Sequence, residues 1–501
     1  MSAGSVAARQ EASDRTAGPW AVLVVVCFAQ FMVVLDATIV NVALPSIESG
    51  LSLSASNLQW VINAYSLTLG GLLLLGGRAG DILGRKRIFM AGLVVFSAAS
   101  LANGLATSPL LLIIGRAVQG VGGALIVPAV LSIITTNFTT ALDREKALAV
   151  WSGISATGGA VGLLLGGVLT SALSWRWIFL VNVPVGVLVM LATIRIVPES
   201  RAPDSKRAFD AAGAALVTAG LGLFVFAVVK SESYGWSSGL TGALLFGGLA
   251  LIAAFLALER RSSAPLVRLG IFRTPGLGPA SVIQVLTSGA AIATFFFVSL
   301  YLQQVLGYRP FSGGLGLVPF SAGIVGGATI ARKAVPRFGP RAVARVGISL
   351  GFVGLLVPSR VPVDGHYASN VLVGVLPLSL GLGLTFLPIT LIATNRVEAP
   401  DAGLASGILN TAQQMGATVG LAVLSTLAAS RTRHGTVGGR TLQIDGFHVA
   451  FAGAAAFLGA AMLITVFVLR PEPEGATREE VHRDKAAQAA ACAQQVPGAI
   501  R

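Results

Sequence analysis

Residues 20–47 read WAVLVVVCFAQFMVVLDATIVNVALPSI, an apolar run with a carboxylate, Asp36, inside it. About 20 apolar residues suffice to cross a bilayer, so the run is long enough to span one. A charge near the membrane centre costs roughly 2.5–3.5 kcal/mol on insertion scales. Of the 21 acidic residues in the chain, Asp36 alone lies this deep in an expected span. Such an acid faces a cavity or a partner and marks a functional site by default. The alternative is an Asp near a helix end that reaches the interface. The apolar stretch from Cys27 before it, and Asn41 and Pro45 beyond it, weigh against that.

Composition points the same way. Hydrophobic residues make up 54% of the 501 and charged residues 11%, and mean hydropathy is +0.80. Soluble domains carry about 25% charged residues, so the expected class is an all-α polytopic membrane protein. The first 19 residues are polar and mixed in charge, and the apolar run after them is too long for a signal h-region, so no cleavable signal peptide is expected. Cys27 and Cys492 make no obvious pair. Richness in Ala, Gly and Arg suggests a high-GC bacterial source.

Fourteen spans are expected, at 20–46, 58–78, 88–106, 109–135, 147–172, 177–197, 211–229, 239–258, 278–304, 311–331, 342–358, 369–394, 403–429 and 447–469. An even count puts both termini on one side. Of the 35 Lys and Arg, 27 fall on that side, 7 fall opposite, and Arg116 lies within a span. The asymmetry predicts cytoplasmic termini. It also accounts for the net charge of +14 as a topology signal. No basic, aromatic-interleaved soluble module is present, so no nucleic-acid partner is expected. The spacing suggests six helices, two extra, then six. The expected parts are a cytoplasmic tail 1–19, a first bundle 20–200, an inserted pair with linkers 201–275, a second bundle 276–470 and a cytoplasmic tail 471–501.

The loop after the second span reads Gly77-Arg-Ala-Gly-Asp-Ile-Leu-Gly-Arg-Lys-Arg87. Gly77 and Gly84 suit a tight turn. Asp81 is placed to cap a short helix or to meet a basic side chain. Arg85, Lys86 and Arg87 are topogenic charges. The spacing G-x-x-x-D-x-x-G-R-K raises this above a plain basic loop. Three further stretches stand at expected spans: Leu35–Pro45 (LDATIVNVALP), Arg116–Ala124 (RAVQGVGGA) and Trp175–Gly186 (WRWIFLVNVPVG). Together the four resemble the fourteen-helix drug:proton antiporters of the major facilitator superfamily, over nearly the whole chain. The resemblance implies two six-helix bundles plus two additional helices, a central cavity and alternating access. It also associates the fourth-helix Arg with proton transfer.

Gly158, Gly162 and Gly166 recur every fourth residue, with Gly167 beside them, and present one helix face to a close neighbour. The antiporter branches carry a proline where Leu163 stands here, so a proton-coupled transporter of one metabolite, symporter or dedicated exporter, stays open beside drug export. The second half holds a worn copy of the loop, Ala331–Arg341, with Pro336 at the acidic position. It supports an internal duplication whose two loops are not equivalent.

Arg116 needs a carboxylate, and Asp36 is the comparably deep acid. The pair is the expected proton-coupling element. Burial favours a neutral carboxyl and a nearby Arg a charged one, so separation of the pair would let Asp36 take up and release a proton. The alternative has Arg116 satisfying backbone carbonyls and Gln119. Expected cavity residues are Asn41, Asn63, Tyr65, Gln119, Gln284, Asn410, Gln413 and Gln414. Phe295, Phe296 and Phe297 read as lipid-facing or packing residues.

The scarcity of acids fits neutral, amphipathic or singly charged substrates. No His-Glu-x-x-His, Gly-x-Ser-x-Gly or nucleotide-binding Gly-Lys-Ser/Thr motif occurs, so neither an enzyme nor an ATP-driven pump is expected. His366, His434, His448 and His482 are scattered and make no metal site. The expected function is a proton-coupled exporter of hydrophobic or amphipathic compounds in the plasma membrane. It would be a monomer in the lipid bilayer, driven by the proton gradient and without a cofactor.

Overall fold

The computed structural model describes residues 18–469, apart from 54, 139, 202–209, 263, 264, 266, 363, 364, 396, 398–401 and 434–438. The expected cytoplasmic tails, 1–19 and 471–501, therefore lie outside the described residues except for 18 and 19. Backbone polar groups cannot stay unpaired in hydrocarbon, so each long apolar run closes its hydrogen bonds as helix. No strand occurs among the described residues.

The first half contains α1 (Pro19–Leu51), α2 (Trp60–Leu83), α3 (Arg85–Gly104), α4 (Pro109–Asn137), α5 (Ala141–Ala172) and α6, which runs as Trp177–Leu180 and Asn182–Ile196. Next come α7 (Ala211–Tyr234) and α8 (Gly239–Arg261). The second half contains α9 (Leu277–Leu300, prolonged by a π-helical turn over Tyr301–Val305) and the run Pro310–Leu356. Gly339, at φ 76°, breaks that run into α10 (310–338) and α11 (340–356). The chain then forms α12 (Val373–Thr394, preceded by a π-helical turn over Tyr367–Leu372), α13 (Ala402–Arg433) and α14 (Gly439–Phe467).

Every expected span falls on one of these helices. Among the described residues, eleven stretches are long and apolar enough to cross a membrane, with Pro310–Arg360 taken as one. α5 is not among them; its part Thr157–Ala172 is a shorter apolar helix. α13 carries Asn410, Gln413 and Gln414 near its middle and is not among the eleven. The chain is a multi-pass membrane protein.

Helices approach closely where glycines remove the side chain. A Cβ on Gly166 would lie 2.9 Å from the Ile39 carbonyl oxygen, and one on Gly158 would lie 3.3 Å from the Phe31 ring. A Cβ on Gly162 would strike Thr38 and lie 3.0 Å from the Leu35 carbonyl oxygen. The expected glycine face of α5 thus meets α1. Gly167 turns the other way, where a Cβ would lie 2.7 Å from the Cα of Phe311 on α10.

Two seams join the halves. α2 and α13 meet along their length: a Cβ on Gly70 would meet Gln414, one on Gly407 would meet Leu74, and Ser425 hydrogen-bonds the Gln59 side chain. α5 and α10 meet where α5 ends, through Gly167, through Gly314 against the Leu163 carbonyl, and through the Ser171 hydroxyl, which accepts from the Phe311 amide at 3.2 Å. At that same end, α1 meets α9. Ser299 donates to the Asn41 carbonyl at 2.9 Å, Gln303 to the Val42 carbonyl at 3.1 Å and Gln304 to the Glu48 carboxylate at 2.8 Å.

α7 lies across the α2/α13 seam. Thr218 sits against Gly71 of α2, and Thr426 of α13 donates to the Val228 carbonyl at 3.2 Å. α8 packs on α7 through Gly220 and Gly248 and leaves Leu240, Phe246 and Leu249 exposed.

Candidate functional site

Asp36 is fully buried, and Arg116 is 1% exposed. Arg116 Nη1 lies 2.5 Å from Asp36 Oδ2, joining α4 to α1. Neither charge could stand alone in hydrocarbon, and mutual pairing with further hydrogen bonds is what makes such burial tolerable. Those bonds are present. Asp36 Oδ1 accepts from Gln119 Nε2 at 2.8 Å and from Asn182 Nδ2 at 2.9 Å. Arg116 also donates through Nε to the Val61 carbonyl at 2.9 Å and through Nη1 to Gln119 Oε1 at 2.9 Å. Its guanidinium carbon lies 4.3 Å from the centre of the Tyr65 ring and 5.7 Å from that of Phe179. Aromatic faces favour a cation at such distances. Arg116 thus engages both partner types weighed from the sequence, the carboxylate and the backbone with Gln119.

A second ring of contacts holds the amides. Asn103 Nδ2 donates to Gln119 Oε1 at 2.8 Å, and both Gln119 and Asn182 donate to Ser100 Oγ, at 3.2 and 3.0 Å. Ser100 in turn donates to the Phe179 carbonyl at 2.8 Å. Sequence reasoning passed over Ser100 and Asn103, which sit unremarked in an ordinary apolar helix. Asn182 stood inside the quoted Trp175–Gly186 motif without an assigned role.

A cavity of about 460 Å³ lies between the halves. Its wall includes Val34, Ala37, Thr38 and Asn41 of α1, Gln284 and Phe295 of α9, Phe320 of α10, Thr385 of α12, and Gln413 and Gln414 of α13. Among the described residues, no Asp, Glu, Lys or Arg lines it. Of the expected cavity residues, Asn41, Gln284, Gln413 and Gln414 are in this wall. Asn63, Tyr65 and Gln119 are instead buried in the first bundle, and Asn410 is exposed off the wall. The Tyr65 hydroxyl and both amide atoms of Asn63 are buried without a hydrogen-bond partner.

Phe295 departs from its expected lipid-facing or packing role. It lines the cavity with Phe320, the ring centres 5.3 Å apart and steeply inclined. Phe296 and Phe297 are buried packing residues, with Phe297 against Phe447 and Phe451, so none of the three faces lipid.

The loop between α2 and α3 turns at Gly84, whose φ of 112° suits glycine. A Cβ at Gly77 would lie 3.5 Å from Pro128 of α4. Asp81 pairs with Arg85 at 3.1 Å. Glu199, beyond α6 and missed from the sequence, accepts from the Lys86 backbone amide at 3.1 Å and lies 3.7 Å from Arg87 Nε. Lys86 Nζ donates to the Ile194 carbonyl at 2.9 Å. The loop is thereby tied to the end of α6.

The chain is 38% identical to the cephamycin export protein CmcT of Amycolatopsis lactamdurans, over 90% of this chain and 93% of that one. It is 38% identical to a puromycin resistance protein of Streptomyces alboniger, over 89% and 90%. It is 33% identical to a lincomycin resistance protein of Streptomyces lincolnensis, over 93% and 95%. Among solved structures, a POT peptide transporter in complex with sulfate matches with a TM-score of 0.63 at 16% identity, over 89% of this chain and 93% of that one. An inward-facing, unoccupied bacterial homologue of the lysosomal transporter Spinster matches with a TM-score of 0.62 at 16% identity, over 91% and 99%. At that identity the two speak for the fold alone. The sequence model of the Major Facilitator Superfamily matches residues 26–421. With most of its length matched and full-length relatives above 30% identity, the chain belongs to the major facilitator superfamily.

Proposed function

We propose that the chain is a proton-coupled exporter of hydrophobic or amphipathic small molecules, drugs and antibiotics among them. It works by alternating access, as a monomer with fourteen crossings and both termini in the cytoplasm of a bacterial plasma membrane. The names of its relatives, for cephamycin export and for puromycin and lincomycin resistance, support the substrate class. The uncharged cavity wall, with amides and hydroxyls among apolar and aromatic groups, suits neutral or singly charged amphiphiles.

One observation carries the coupling. α1 presents Asp36 to the ion pair on one face and Val34, Ala37, Thr38 and Asn41 to the cavity on another. Protonation of Asp36 removes the charge that Arg116 answers and turns one carboxyl oxygen from acceptor to donor. The charge-assisted contacts to Arg116, Gln119 and Asn182 are weakened by that change. α1 then shifts along the glycine face of α5, and the cavity wall moves with it. The α2–α3 loop, through Gly77, Asp81, Gly84, Arg85 and Lys86, serves as the conformational switch tied to α6. The proton gradient supplies the energy, about 2.3 kcal/mol per charge per 100 mV and roughly 1.4 kcal/mol per pH unit.

The test is dye transport in proteoliposomes under an imposed pH gradient, for wild type and Asp36→Asn. Dye movement opposite to the protons, lost in the variant, is expected. Movement that persists unchanged in the variant would remove Asp36 from coupling. No dye movement in wild type, with exchange of a single metabolite in a screen, would replace broad export with a dedicated transporter.

A further inference from the structure

The basic loop of the second half takes no part in the scheme above. It stands where the α2–α3 loop stands in the first half, and both turn on a glycine of positive φ, 112° at Gly84 and 76° at Gly339. With those glycines aligned, Pro336 falls at the position of Asp81 and Lys333 at that of Arg78. The charges are handled differently. In the first loop Asp81 pairs with Arg85, and Glu199 lies 3.7 Å from Arg87. In the second, Arg332, Lys333 and Arg337 are exposed, and among the described residues no carboxylate lies within ion-pair distance of them.

The place of these cations on α10 decides what can answer them. Phe311, Leu315, Ala322, Thr329, Lys333 and Pro336 are all exposed, at spacings of three, four and seven, and so form one stripe along the helix. The run is long and apolar enough to cross a membrane, so the apolar part of the stripe meets hydrocarbon. Arg337 follows Lys333 by one turn, and Phe338 beside it is 69% exposed. Lys and Arg near a helix end lay their aliphatic stems along the apolar surface and hold the charge at headgroup level. A free anion would meet the charges alone. An anionic lipid meets both parts, with its phosphate at the cations and its acyl chains on the stripe.

We propose that the end of α10 binds an anionic phospholipid: Lys333 and Arg337 hold the phosphate, Arg332 stands beside them, and the acyl chains lie along the stripe past Thr329. One leaflet of hydrocarbon, about 15 Å, matches roughly ten residues of helix, which takes the chains to the level of Ala322. The headgroup gives this loop the negative charge that Asp81 and Glu199 give the other. The site needs only that α10 crosses a membrane. It stands apart from proton coupling and from which end of the molecule is cytoplasmic.

The test is calorimetric titration of the purified full-length protein, in neutral detergent at low salt, with dioctanoyl phosphatidylglycerol, dioctanoyl phosphatidylcholine and glycerol 3-phosphate. Phosphatidylglycerol should bind, more weakly as salt is raised, and neither of the others should displace it. A cation at a membrane surface contributes about fivefold to such binding, so Lys333→Gln with Arg337→Gln should weaken it about thirtyfold. Arg260→Gln with Arg261→Gln, an exposed basic pair at the end of α8, should leave it unchanged. No binding to wild type, or an unmoved affinity in the first pair, overturns the proposal. An equal loss in the two pairs overturns it as well, because it means only attraction to a positive surface. Displacement by glycerol 3-phosphate would make this a site for a soluble anion, and equal binding of phosphatidylcholine would remove the cations from recognition.

Pro336→Asp adds a charge and removes none, and so guards against damage from the glutamine variants. It installs a carboxylate three residues from Lys333 and next to Arg337, as the first loop has in Asp81. Phosphatidylglycerol binding should weaken about fivefold, the share of one cation. Full affinity in that variant would mean that the headgroup does not sit at this turn.

Discussion

In the first bundle, α1, α3, α4 and α6 each send polar side chains into one network around Asp36. In the second bundle, the buried hydroxyls of Thr294, Thr385, Thr418 and Thr465 each donate to the carbonyl four residues back on their own helix. The first arrangement satisfies polar groups between helices, so a change in one charge is felt by four elements at once. Those four threonines are satisfied within their own helices, and the cross-element bonds of the second half, such as Tyr367 to the Gly316 carbonyl, join single pairs of elements and no charge. Packing in the second bundle rests on glycine contacts instead, such as Gly327 and Gly383 between α10 and α12, and Gly289 and Gly420 between α9 and α13. The two halves resemble each other in helix order and differ in what can switch them. The first gathers its buried charges into one network, the element to which proton coupling is assigned in the proposed function. The second supplies a fixed share of the cavity wall.

The contrast is broken most severely at Arg116. Arg116→Leu leaves Asp36 buried with its charge unanswered, a loss of about 3–5 kcal/mol. A large fall in melting temperature and abolished exchange are expected, and the double variant with Asp36→Asn should recover much of the stability but none of the coupling. Recovery of coupling would show that the pair is only structural.

Next comes the α1–α5 contact, along which the proposed mechanism has α1 shift. Gly162→Leu drives a side chain into Thr38 and the Leu35 carbonyl. It should abolish exchange and cost about 1–3 kcal/mol, the usual range for overpacking. Gly242→Leu on α8, where nothing lies within 4 Å of the added atom, should leave both intact. Equal damage at the two sites would remove the α1–α5 contact from the mechanism.

Phe295→Ala sharpens the division of labour. It removes an aromatic wall from the cavity without touching the ion pair. Substrate range should change, with planar aromatic dyes losing about tenfold in apparent affinity, in line with 1–1.5 kcal/mol for an aromatic contact. The pH dependence of exchange should stay as in wild type. A moved pH profile would mean that cavity and proton site are not separate.

The smallest effect is expected at Thr465→Val in the second bundle, away from the cavity wall, which deletes a hydrogen bond within one helix. Less than about 1 kcal/mol and unchanged coupling should be seen by melting and dye exchange. A large effect there would end the contrast between the halves.

Much of this could be read without coordinates, and for identifiable reasons. Asp36 and Arg116 stand out because ionisable groups in an apolar run are expensive, and each is the natural partner of the other. The glycine face of α5 is legible because a spacing of four is a property of the helix itself. The Gly77–Lys86 loop is legible because a turn demands particular residues. Amides and aromatics were less legible. Asn63, Tyr65 and Gln119 read as cavity residues but turn into the bundle, while Phe295 read as packing and faces the cavity. Such side chains are at home in either setting, and local sequence does not say which neighbour a helix face will meet.

Class, helix positions, the buried acid with its basic partner and the close-packing face of α5 were thus determined by the sequence alone, because each follows from the cost of a residue type in hydrocarbon or from helical periodicity. Tertiary structure alone decided that Asp36 and the cavity occupy different faces of α1, that Ser100, Asn103 and Asn182 complete the carboxylate's surroundings, that Glu199 holds the α2–α3 loop, and that α7 lies across one seam. Those facts depend on how helices are rotated and paired. That is set by packing summed over many residues and not by any one of them.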